Sequence, residues 1–432
     1  MRGEYEEMKI LFKNARILTM EKEEIIEGDL VTLDNRIAYI GNDSSKCGPF
    51  DRIIECHKNL LMPGFKNAHA HSAMVFLRSK ADDVTLQDWL FKIVFPREDK
   101  LVASDIYHLN KVAYLEYLSS GITACFDHYY YPLEGAKAAE EIGFRTLLLA
   151  TYDQKYTRGE DLYRNFHHFN DKKDGLVRYT IGFHAEYTTD DDLLMGTIEA
   201  LRMLKCPFYT HIAETKKEVK ECLDRHGKTP AKYLYDNGLF NYGGGGFHCI
   251  YLTEEEVKIF KENNLSVISC PGSNSKLASG IAPLTYYLKN GINIALGTDG
   301  PASNNSLDMF KEMYLAATLQ KIVNEDAKSI SAFEILKMAT VNASKVMCLD
   351  EADILKEGKY ADLIMIDLHK ANMQPINNII TNLVYAGSKD NVILTMINGR
   401  ILYENGKYNI NENIEDIFAK AEEIASRIEK EL

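Results

Sequence analysis

The middle of the chain, from Leu60 to about Leu349, alternates short apolar runs with helical stretches. This alternation predicts parallel β-strands joined by crossover helices. Eight runs can be counted, at residues 61–71, 122–128, 145–151, 179–184, 208–211, 246–250, 266–270 and 292–298. Roughly 290 residues over eight units gives about 36 residues each, the size of a βα unit. The spacing therefore predicts an α/β fold built on a (β/α)₈ TIM-like barrel.

Both ends of the chain have a different texture from the middle. Short alternating strands with turns occupy residues 15–20, 28–33 and 36–41, and similar strands return at 361–367 and 392–399. Two β-rich ends around one long middle predict a small β-sandwich domain formed by both chain ends. We expect residues 1–61 and 350–432 to form that domain, and residues 62–349 to form the barrel. Residues 414–432 have one apolar face and predict a terminal helix packed on the protein.

Composition limits the classes of function. The 432 residues carry a formal charge of −13, so a nucleic-acid backbone or an anionic membrane would be repelled on average. No apolar run approaches the length of a membrane helix, and the charged start lacks a signal sequence. The eight scattered cysteines show no metal-ribbon or disulfide spacing. We expect a cytoplasmic protein with reduced cysteines and a small-molecule ligand; barrel enzymes often form homo-oligomers, but no stretch identifies an interface.

Polar residues collect where the predicted strands end. In a parallel barrel the carboxyl ends of the strands carry the chemistry, because their loops converge there. Five of the eight runs end in, or lead directly into, a histidine or an acid, which are His69 with His71, His184, His211, His248 and Asp299. The glycine run at residues 243–246 precedes a strand instead of opening a helix, so we interpret it as a loop.

His69 and His71 are two residues apart, so on an extended chain their imidazoles point to the same side. His211 and Asp299 occupy matching positions on later runs. Three imidazoles and one carboxylate suit a single divalent metal ion, Zn²⁺ first and Fe²⁺ as the alternative. The remaining histidines share no such placement and are interpreted as structural, with His128 the one that could line a pocket: His57, His108, His128, His167, His168, His226 and His369.

Four linked motifs resemble the amidohydrolase superfamily. They are MPGFKNAHAH at residues 62–71, THIAET at 210–215, FHC at 247–249 and GTDGPASNN at 297–305. The last three are similar to the branch that contains 5-methylthioadenosine/S-adenosylhomocysteine deaminases and chlorohydrolase-like enzymes. The resemblance covers nearly the whole chain, and it implies the same four metal ligands.

The resemblance also implies roles for residues beyond the ligands. Glu214 and His248 would handle protons beside the metal, while Trp89 and Glu98 match positions over the nucleoside, the glutamate contacting ribose hydroxyls. His184 is kept from a motif in which Glu186 replaces a usual proline, a change that we expect to alter the pocket. Arginines for an amino-acid carboxylate are poorly matched, with Arg158 as one equivalent and Thr151 near the other.

The function that the resemblance implies is hydrolysis of a C–N bond in a cyclic amidine. We predict a metal-dependent aminohydrolase that deaminates an adenosine-type nucleoside: 5-methylthioadenosine, S-adenosylhomocysteine, 5-deoxyadenosine or adenosine. Glu214 would move the proton of the attacking water, with His248 and Asp299 orienting that water. The alternative keeps the chemistry and changes the ring to guanine, an oxidised purine, a pterin or a triazine. A non-catalytic assembly protein on this scaffold would have lost ligands, and all four are present.

Overall fold

A computed structural model describes residues 8–80, 82–152 and 159–432. Arg158 lies outside the described residues. The strands within them are β1 Lys9–Leu18, β2 Ile25–Leu33, β3 Arg36–Gly41, β4 Arg52–Glu55, β5 Leu60–Pro63, β6 Phe65–Ala70, β7 Ile122–His128, β8 Arg145–Thr151, β9 Val177–Ala185, β10 Phe208–Ile212, β11 Gly244–His248, β12 Ser266–Ser269, β13 Asn293–Leu296, β14 Leu363–Ile366, β15 Val392–Ile397, β16 Arg400–Glu404 and β17 Lys407–Tyr408.

The helices follow most strands, as the crossover pattern predicts. They are α1 Leu86–Asp88, α2 Phe95–Glu98, α3 Ala103–Ser119, α4 Pro132–Ile142, α5 Gly159–Asn170, α6 Asp191–Leu204, α7 Lys216–His226, α8 Pro230–Asp236, α9 Glu254–Glu262, α10 Pro271–Lys276, α11 Leu284–Lys289, α12 Met309–Val323, α13 Ala332–Met338, α14 Val341–Val346, α15 Ile379–Tyr385 and α16 Ile414–Lys430. A π-helical turn, Trp89–Val94, joins α1 to α2. No helix in the described ranges has the length and apolar character to cross a membrane.

Strands β6 to β13 form one parallel sheet in chain order, and this sheet curls into the barrel. Its first and last strands meet at their carboxyl ends, where the backbone N–H of Asp299 donates to the carbonyl of His69 at 3.0 Å. The side chain of Asn67 also makes two hydrogen bonds to Thr298, at 2.7 and 2.8 Å. The predicted eight-stranded barrel is therefore confirmed.

The glycine run was expected to be a loop, and that prediction is wrong. Gly244, Gly245 and Gly246 form most of strand β11. A Cβ on Gly244 would lie 1.9 Å from the carbonyl oxygen of Phe208, and Gly244 has a φ of +122°. Only glycine permits so close an approach of the neighbouring backbone. Residues without side chains give no apolar pattern, which is why the sequence predicted this strand two residues late, from residue 246.

The second sheet contains strands from both chain ends, in the order β17-β16-β15-β14-β5-β1-β2-β3, with β4 beside β1. Strand β5 pairs in parallel with β1 and antiparallel with β14, so it joins the two ends into one mixed sheet. Only Gly64 separates β5 from the first barrel strand, β6. A sheet domain assembled from both ends is confirmed, as is the terminal helix, now α16.

Candidate metal and substrate site

Four predicted ligands meet at the carboxyl end of the barrel. His69 lies on β6 and His71 directly after it, His211 lies on β10, and Asp299 follows β13. One ligand atom from each lies within 4.8 Å of the others, and all four residues are buried. Nε2 of His69 is 3.2 Å from Nε2 of His211, and Oδ1 of Asp299 is 3.2 Å from Nε2 of His71. Residues far apart in sequence thus share one small space.

Backbone carbonyls orient two of the imidazoles. Nδ1 of His71 donates to the carbonyl of His128 at 2.5 Å, and Nδ1 of His211 donates to the carbonyl of His184 at 2.6 Å. A carbonyl only accepts, so each Nδ1 carries the proton and each Nε2 keeps its lone pair. Such second partners fix the tautomer of metal-ligating histidines. Both rings therefore present a basic nitrogen to the shared space.

His69 is held by packing. Its ring stacks on Phe247 at a centroid distance of 3.8 Å, and its Nδ1 has no hydrogen-bond partner among the described residues. A Cβ on Gly297 would lie 2.7 Å from the His69 backbone, so glycine is required there. Burial lowers the pKa of His69 to about 3, which keeps the ring neutral at pH 7.

The carboxylate of Asp299 is fixed from behind. Its Oδ2 accepts hydrogen bonds from the hydroxyls of Ser273, at 2.5 Å, and Ser303, at 2.9 Å. Oδ1 is left facing the histidines. Burial alone would raise the pKa of Asp299, but the imidazoles of His69 and His71 beside it hold that pKa well below its usual range. Asp299 is therefore an anion beside the imidazoles.

Three barrel strands end in a strained backbone at this site. Ala213, His248 and Asp299 have φ values of 50°, 67° and 60°, a region that side chains with a Cβ rarely occupy. Such strain collects at functional sites, where the surrounding structure holds it in place. Each of these residues lies where the chain leaves the barrel, and Glu214, His248 and Asp299 at these positions line the cavity.

These observations fit a single divalent metal ion. Imidazole nitrogens and a carboxylate oxygen are donors that Zn²⁺ and similar divalent ions bind. The charge arrangement also fits, because imidazole nitrogens and a carboxylate oxygen face one another at about 3 Å, which a cation between them would stabilise.

Glu214 lies beside the cluster, three residues after His211. The carboxylate is buried, and its Oε1 accepts from the hydroxyl of Ser279 at 3.2 Å. Burial raises its pKa. Glu218, on the first turn of α7, holds the backbone here by accepting from the N–H groups of Ala213 and Glu214, at 2.6 and 2.8 Å.

His248 ends β11, with its ring 5.3 Å from that of His211 and nearly parallel to it. Its Nδ1 lies 2.8 Å from Oδ1 of Asn274. Since the amide oxygen accepts, Nδ1 carries the proton and Nε2 is free to act towards the site. Asn274 was not predicted, because the bond joins residues on different strand–helix units.

A cavity of about 270 Å³ opens over the cluster. Its wall is mainly apolar and aromatic, with the metal ligands and Glu214 at one part of it. Trp89 and Glu98, expected to contact substrate, both line this cavity, as do His184 and Thr151. The indole of Trp89 is buried, and its Nε1 has no hydrogen-bond partner among the described residues.

Glu98 is less free than expected. Its two carboxylate oxygens accept hydrogen bonds from the hydroxyls of Tyr129, at 2.6 Å, and Tyr130, at 3.3 Å. Burial raises its pKa. Neither tyrosine was singled out from the sequence, although both directly follow strand β7. The carboxylate is thus presented to the cavity in one fixed orientation.

Glu186 does not alter the pocket in the expected way. Its carboxylate is turned away from the cavity, onto Arg225 at 2.6 Å and His226 at 2.7 Å, at the end of α7. The lining residues from this loop are Tyr187 and Thr188. Thr188 places its hydroxyl 3.0 Å from Nδ1 of His184.

His128 was interpreted as structural, with the reservation that it could line a pocket. The structure places it in the cavity wall, with its ring 5.5 Å from that of His211. Its Nδ1 is buried and has no hydrogen-bond partner within the described part of the chain. Its position at the end of β7 was the signal that could have found it.

Comparison with known proteins agrees with this geometry. Residues 60–402 match the model of the amidohydrolase family. A 5-methylthioadenosine/S-adenosylhomocysteine deaminase of Thermoanaerobacter pseudethanolicus is 40% identical over 413 residues, covering 92% of this chain and 94% of that protein. One of Pyrococcus furiosus is 35% identical, covering 95% and 99%.

Among solved structures, an adenosine deaminase of Xanthomonas campestris with bound zinc is similar, with a TM-score of 0.90 and 27% identity over 98% of this chain and 99% of that one. A guanine deaminase of C. acetobutylicum shares the fold, with a TM-score of 0.78 and 21% identity over 91% and 98%. With the family model matched over most of its length, the chain belongs to the amidohydrolase family.

Proposed function

We propose that the protein is a metal-dependent hydrolytic deaminase of an adenosine-type nucleoside. The observation that carries the proposal is the convergence of His69, His71, His211 and Asp299 at the base of a cavity that also holds Glu214 and Glu98. The relatives named above act, by their names, on 5-methylthioadenosine and S-adenosylhomocysteine. The cavity, at about 270 Å³, lies just below the roughly 300–1,000 Å³ that is usual for small-molecule sites.

The three histidines and Asp299 would hold one ion, for which Zn²⁺ is our choice because the donor set is nitrogen-rich. A divalent ion bound there supplies Lewis-acid activation of water at neutral pH. The hydrogen bonds behind His71 and His211 keep their Nε2 atoms facing inwards. The serine hydroxyls do the same for Asp299.

Glu214 is the proton carrier in this proposal. Its raised pKa makes the carboxylate a better proton acceptor than an exposed one, since proton transfer favours a pKa near the working pH. It would take a proton from the attacking water and deliver it to the ring nitrogen next to the reacting carbon. The water oxygen would bond to that carbon, and its remaining proton would pass to the amino group, so that the C–N bond breaks, ammonia leaves and a ring carbonyl forms.

His248 and Asp299 would orient the water and stabilise the tetrahedral carbon that forms. Nε2 of His248 is free for this role because Asn274 occupies Nδ1. Glu98 is held by Tyr129 and Tyr130 in an orientation that can accept hydrogen bonds from ribose hydroxyls. His184 and Trp89 complete the wall, and Arg158 is proposed as a contact for a carboxylate-bearing tail.

The test is ammonia release from a panel of amino-heterocycles by the metal-supplied protein. The panel contains adenosine, 5-methylthioadenosine, 5-deoxyadenosine and S-adenosylhomocysteine, with adenine, guanine and a triazine as the other arm. Because charge-assisted hydrogen bonds to a ligand contribute about 1.5–3 kcal/mol each, we expect nucleosides to exceed adenine by at least about tenfold in kcat/KM.

Removal of the metal by a chelator should abolish turnover, and Zn²⁺ should restore it. Guanine or a triazine as the best substrate would contradict the nucleoside assignment while leaving a deaminase. Full turnover in a sample shown to be metal-free would contradict the mechanism itself.

A further inference from the structure

The helical segment that carries Trp89 and Glu98 is irregular. The N–H of Phe95 donates to the carbonyl of Leu90, five residues back, which makes the turn Trp89–Val94 π-helical. Pro96 brings no N–H to the carbonyl of Lys92, so a regular helical bond is missing there. Turns of this kind are rare and occur mostly at functional sites. The segment, residues 86–98, contributes six residues to the cavity wall: Leu86, Trp89, Leu90, Val94, Phe95 and Glu98.

The terminal helix α16 contacts this segment through one ion pair, between Glu429 and Arg97. Glu429 accepts hydrogen bonds from Nε of Arg97 at 2.8 Å and from Nη2 at 3.2 Å. The third nitrogen of the same guanidinium, Nη1, donates to the carbonyl of Ile93 inside the π-helical turn, at 3.1 Å. Arg97 directly precedes Glu98. Hydrogen bonds through Arg97 therefore connect Glu429 of α16 to the irregular backbone that precedes Glu98.

Apolar packing adds a second contact between the same elements. Ile424 and Ile428 of α16 are buried in a cluster that also contains Trp89, Leu90 and Val94. Just after the segment, Nη1 of Arg427 donates to the carbonyl of Lys100 at 3.2 Å. None of these contacts involves a metal ligand or Glu214.

We propose that α16 is a positioning element for substrate, which acts through Arg97 and the shared apolar cluster to hold Trp89 and Glu98 in the cavity. This inference rests on the proposed function, because it assigns nucleoside binding to that cavity. Loosening α16 should weaken substrate binding and leave the metal site and the chemical step intact. The effect is expected in KM, with kcat nearly unchanged.

Trp89 is the only tryptophan in the chain, so its fluorescence reports on this segment without any need for turnover. We would compare Glu429→Gln, Ile428→Ala and Arg97→Lys with the unmodified protein, all with Zn²⁺ supplied. The control is Glu423→Gln, which removes an exposed charge of α16 that pairs within the helix, with Lys420 at 2.8 Å.

We expect Glu429→Gln to raise KM about 2–5-fold, the range of a partly exposed ion pair, and Ile428→Ala to raise it more. Acrylamide should quench Trp89 more strongly in both. Arg97→Lys should behave like Glu429→Gln, since a lysine cannot make the bidentate contact. The double variant Arg97→Lys/Glu429→Gln should raise KM no further than either single variant. Bound zinc and the control should be unchanged.

Unaltered quenching in both Glu429→Gln and Ile428→Ala would overturn the proposal, whatever the enzyme acts on. Stronger quenching of Trp89 with an unchanged KM would overturn it too, because the segment would then move without affecting substrate binding. If no nucleoside is deaminated, the proposed function fails, and binding of 5-methylthioadenosine measured by Trp89 fluorescence decides the positioning role separately.

Discussion

At the amino end of the barrel, Arg145 and Asp362 are both buried and pair through two hydrogen bonds of 2.6 and 3.0 Å. Asp362 also accepts from the backbone N–H of Asn398 at 2.7 Å, and Tyr360 lies against the guanidinium. This pair ties strand β8 to the residue before β14. Each charge of this pair therefore has a partner of opposite sign.

At the carboxyl end the buried ionisable groups converge without complete pairing. Asp299 faces imidazoles, and Nδ1 atoms of His69 and His128 and Nε1 of Trp89 have no hydrogen-bond partners among the described residues. All three unpaired atoms belong to the candidate site. Since burial of unpaired polar groups is costly, their position there indicates a ligand-binding site.

The largest expected effect is at the carboxyl end, in Glu214→Gln. The amide keeps the shape and cannot carry the proton, so kcat should fall by about 10²–10⁴-fold, the usual contribution of a general acid–base group. Bound zinc and thermal stability should stay near those of the unmodified protein. Steady-state ammonia release together with metal analysis makes the measurement.

The control is Glu221→Gln on the exposed face of α7, where Glu221 pairs with Lys217. It should keep full activity. Turnover by Glu214→Gln within a few-fold of normal would remove this residue from proton transfer, and loss of zinc would make its role structural.

At the amino end, Asp362→Asn should cost stability and spare chemistry. It leaves Arg145, only 1% exposed, without its charge partner, and breaking a buried pair typically costs about 3–5 kcal/mol. We expect a lower denaturant midpoint with kcat per folded molecule unchanged. The exposed pair Arg36–Glu351 provides the control, since Glu351→Gln should change the free energy of unfolding by about 1 kcal/mol or less. A small effect of Asp362→Asn would show that the two ends do not differ in this way.

The residues at the carboxyl end of the barrel could be predicted from the sequence better than those at its amino end. Metal ligands occupy fixed places at the ends of strands, so His69, His71, His211 and Asp299 could be found from periodicity and position alone. The partners of these ligands could not. Ser273 and Ser303 reach Asp299 from other strand–helix units, and hydroxyls are too common to stand out.

Two misjudged features have physical reasons. Glu186 was expected to alter the pocket, but its ion partner Arg225 is 39 residues away, and only the folded barrel places them together. The start of strand β11 was hidden by its glycines, which are needed because the carbonyl of Phe208 on the neighbouring strand lies so close. Local pattern therefore predicted elements and strand ends, and contacts between distant units required the structure.

Lys66 sharpens the comparison, because it is a buried charge at the amino end with one hydrogen bond, to the carbonyl of Gly64 at 2.8 Å. Burial lowers its pKa to about 8 from 10.5. The folded protein then binds this proton more weakly than the unfolded chain does. Stability should be lowest below pH 8 and rise between about pH 8 and 10.5, by about 3 kcal/mol from this group.

Lys66→Met removes that charge and should remove its contribution to the rise in stability with pH. We expect it to stabilise the protein by up to about 3 kcal/mol at pH 7 and by little at pH 10.5. Urea unfolding of both proteins across this range gives the measurement. An advantage of the variant that does not shrink as the pH rises would show that the lysine is paired after all.

The smallest expected effect is on metal affinity in Ser303→Ala, and it distinguishes residues that support the metal ligands from residues that support the fold. Ser303→Ala removes one of the two hydroxyls that bond Oδ2 of Asp299, and the loss of such outer partners typically lowers metal affinity about 10–100-fold. Ser273 still holds the same oxygen, so we expect the lower part of that range, with stability of the metal-free protein unchanged. Competition with a chelator measures the affinity. Ser306→Ala is the matched control, since its hydroxyl contacts Lys311 and not the cluster. An equal loss of affinity in both variants would mean that any change in this loop weakens metal binding. A loss confined to Ser303→Ala would show that the hydroxyl of Ser303 supports the metal site.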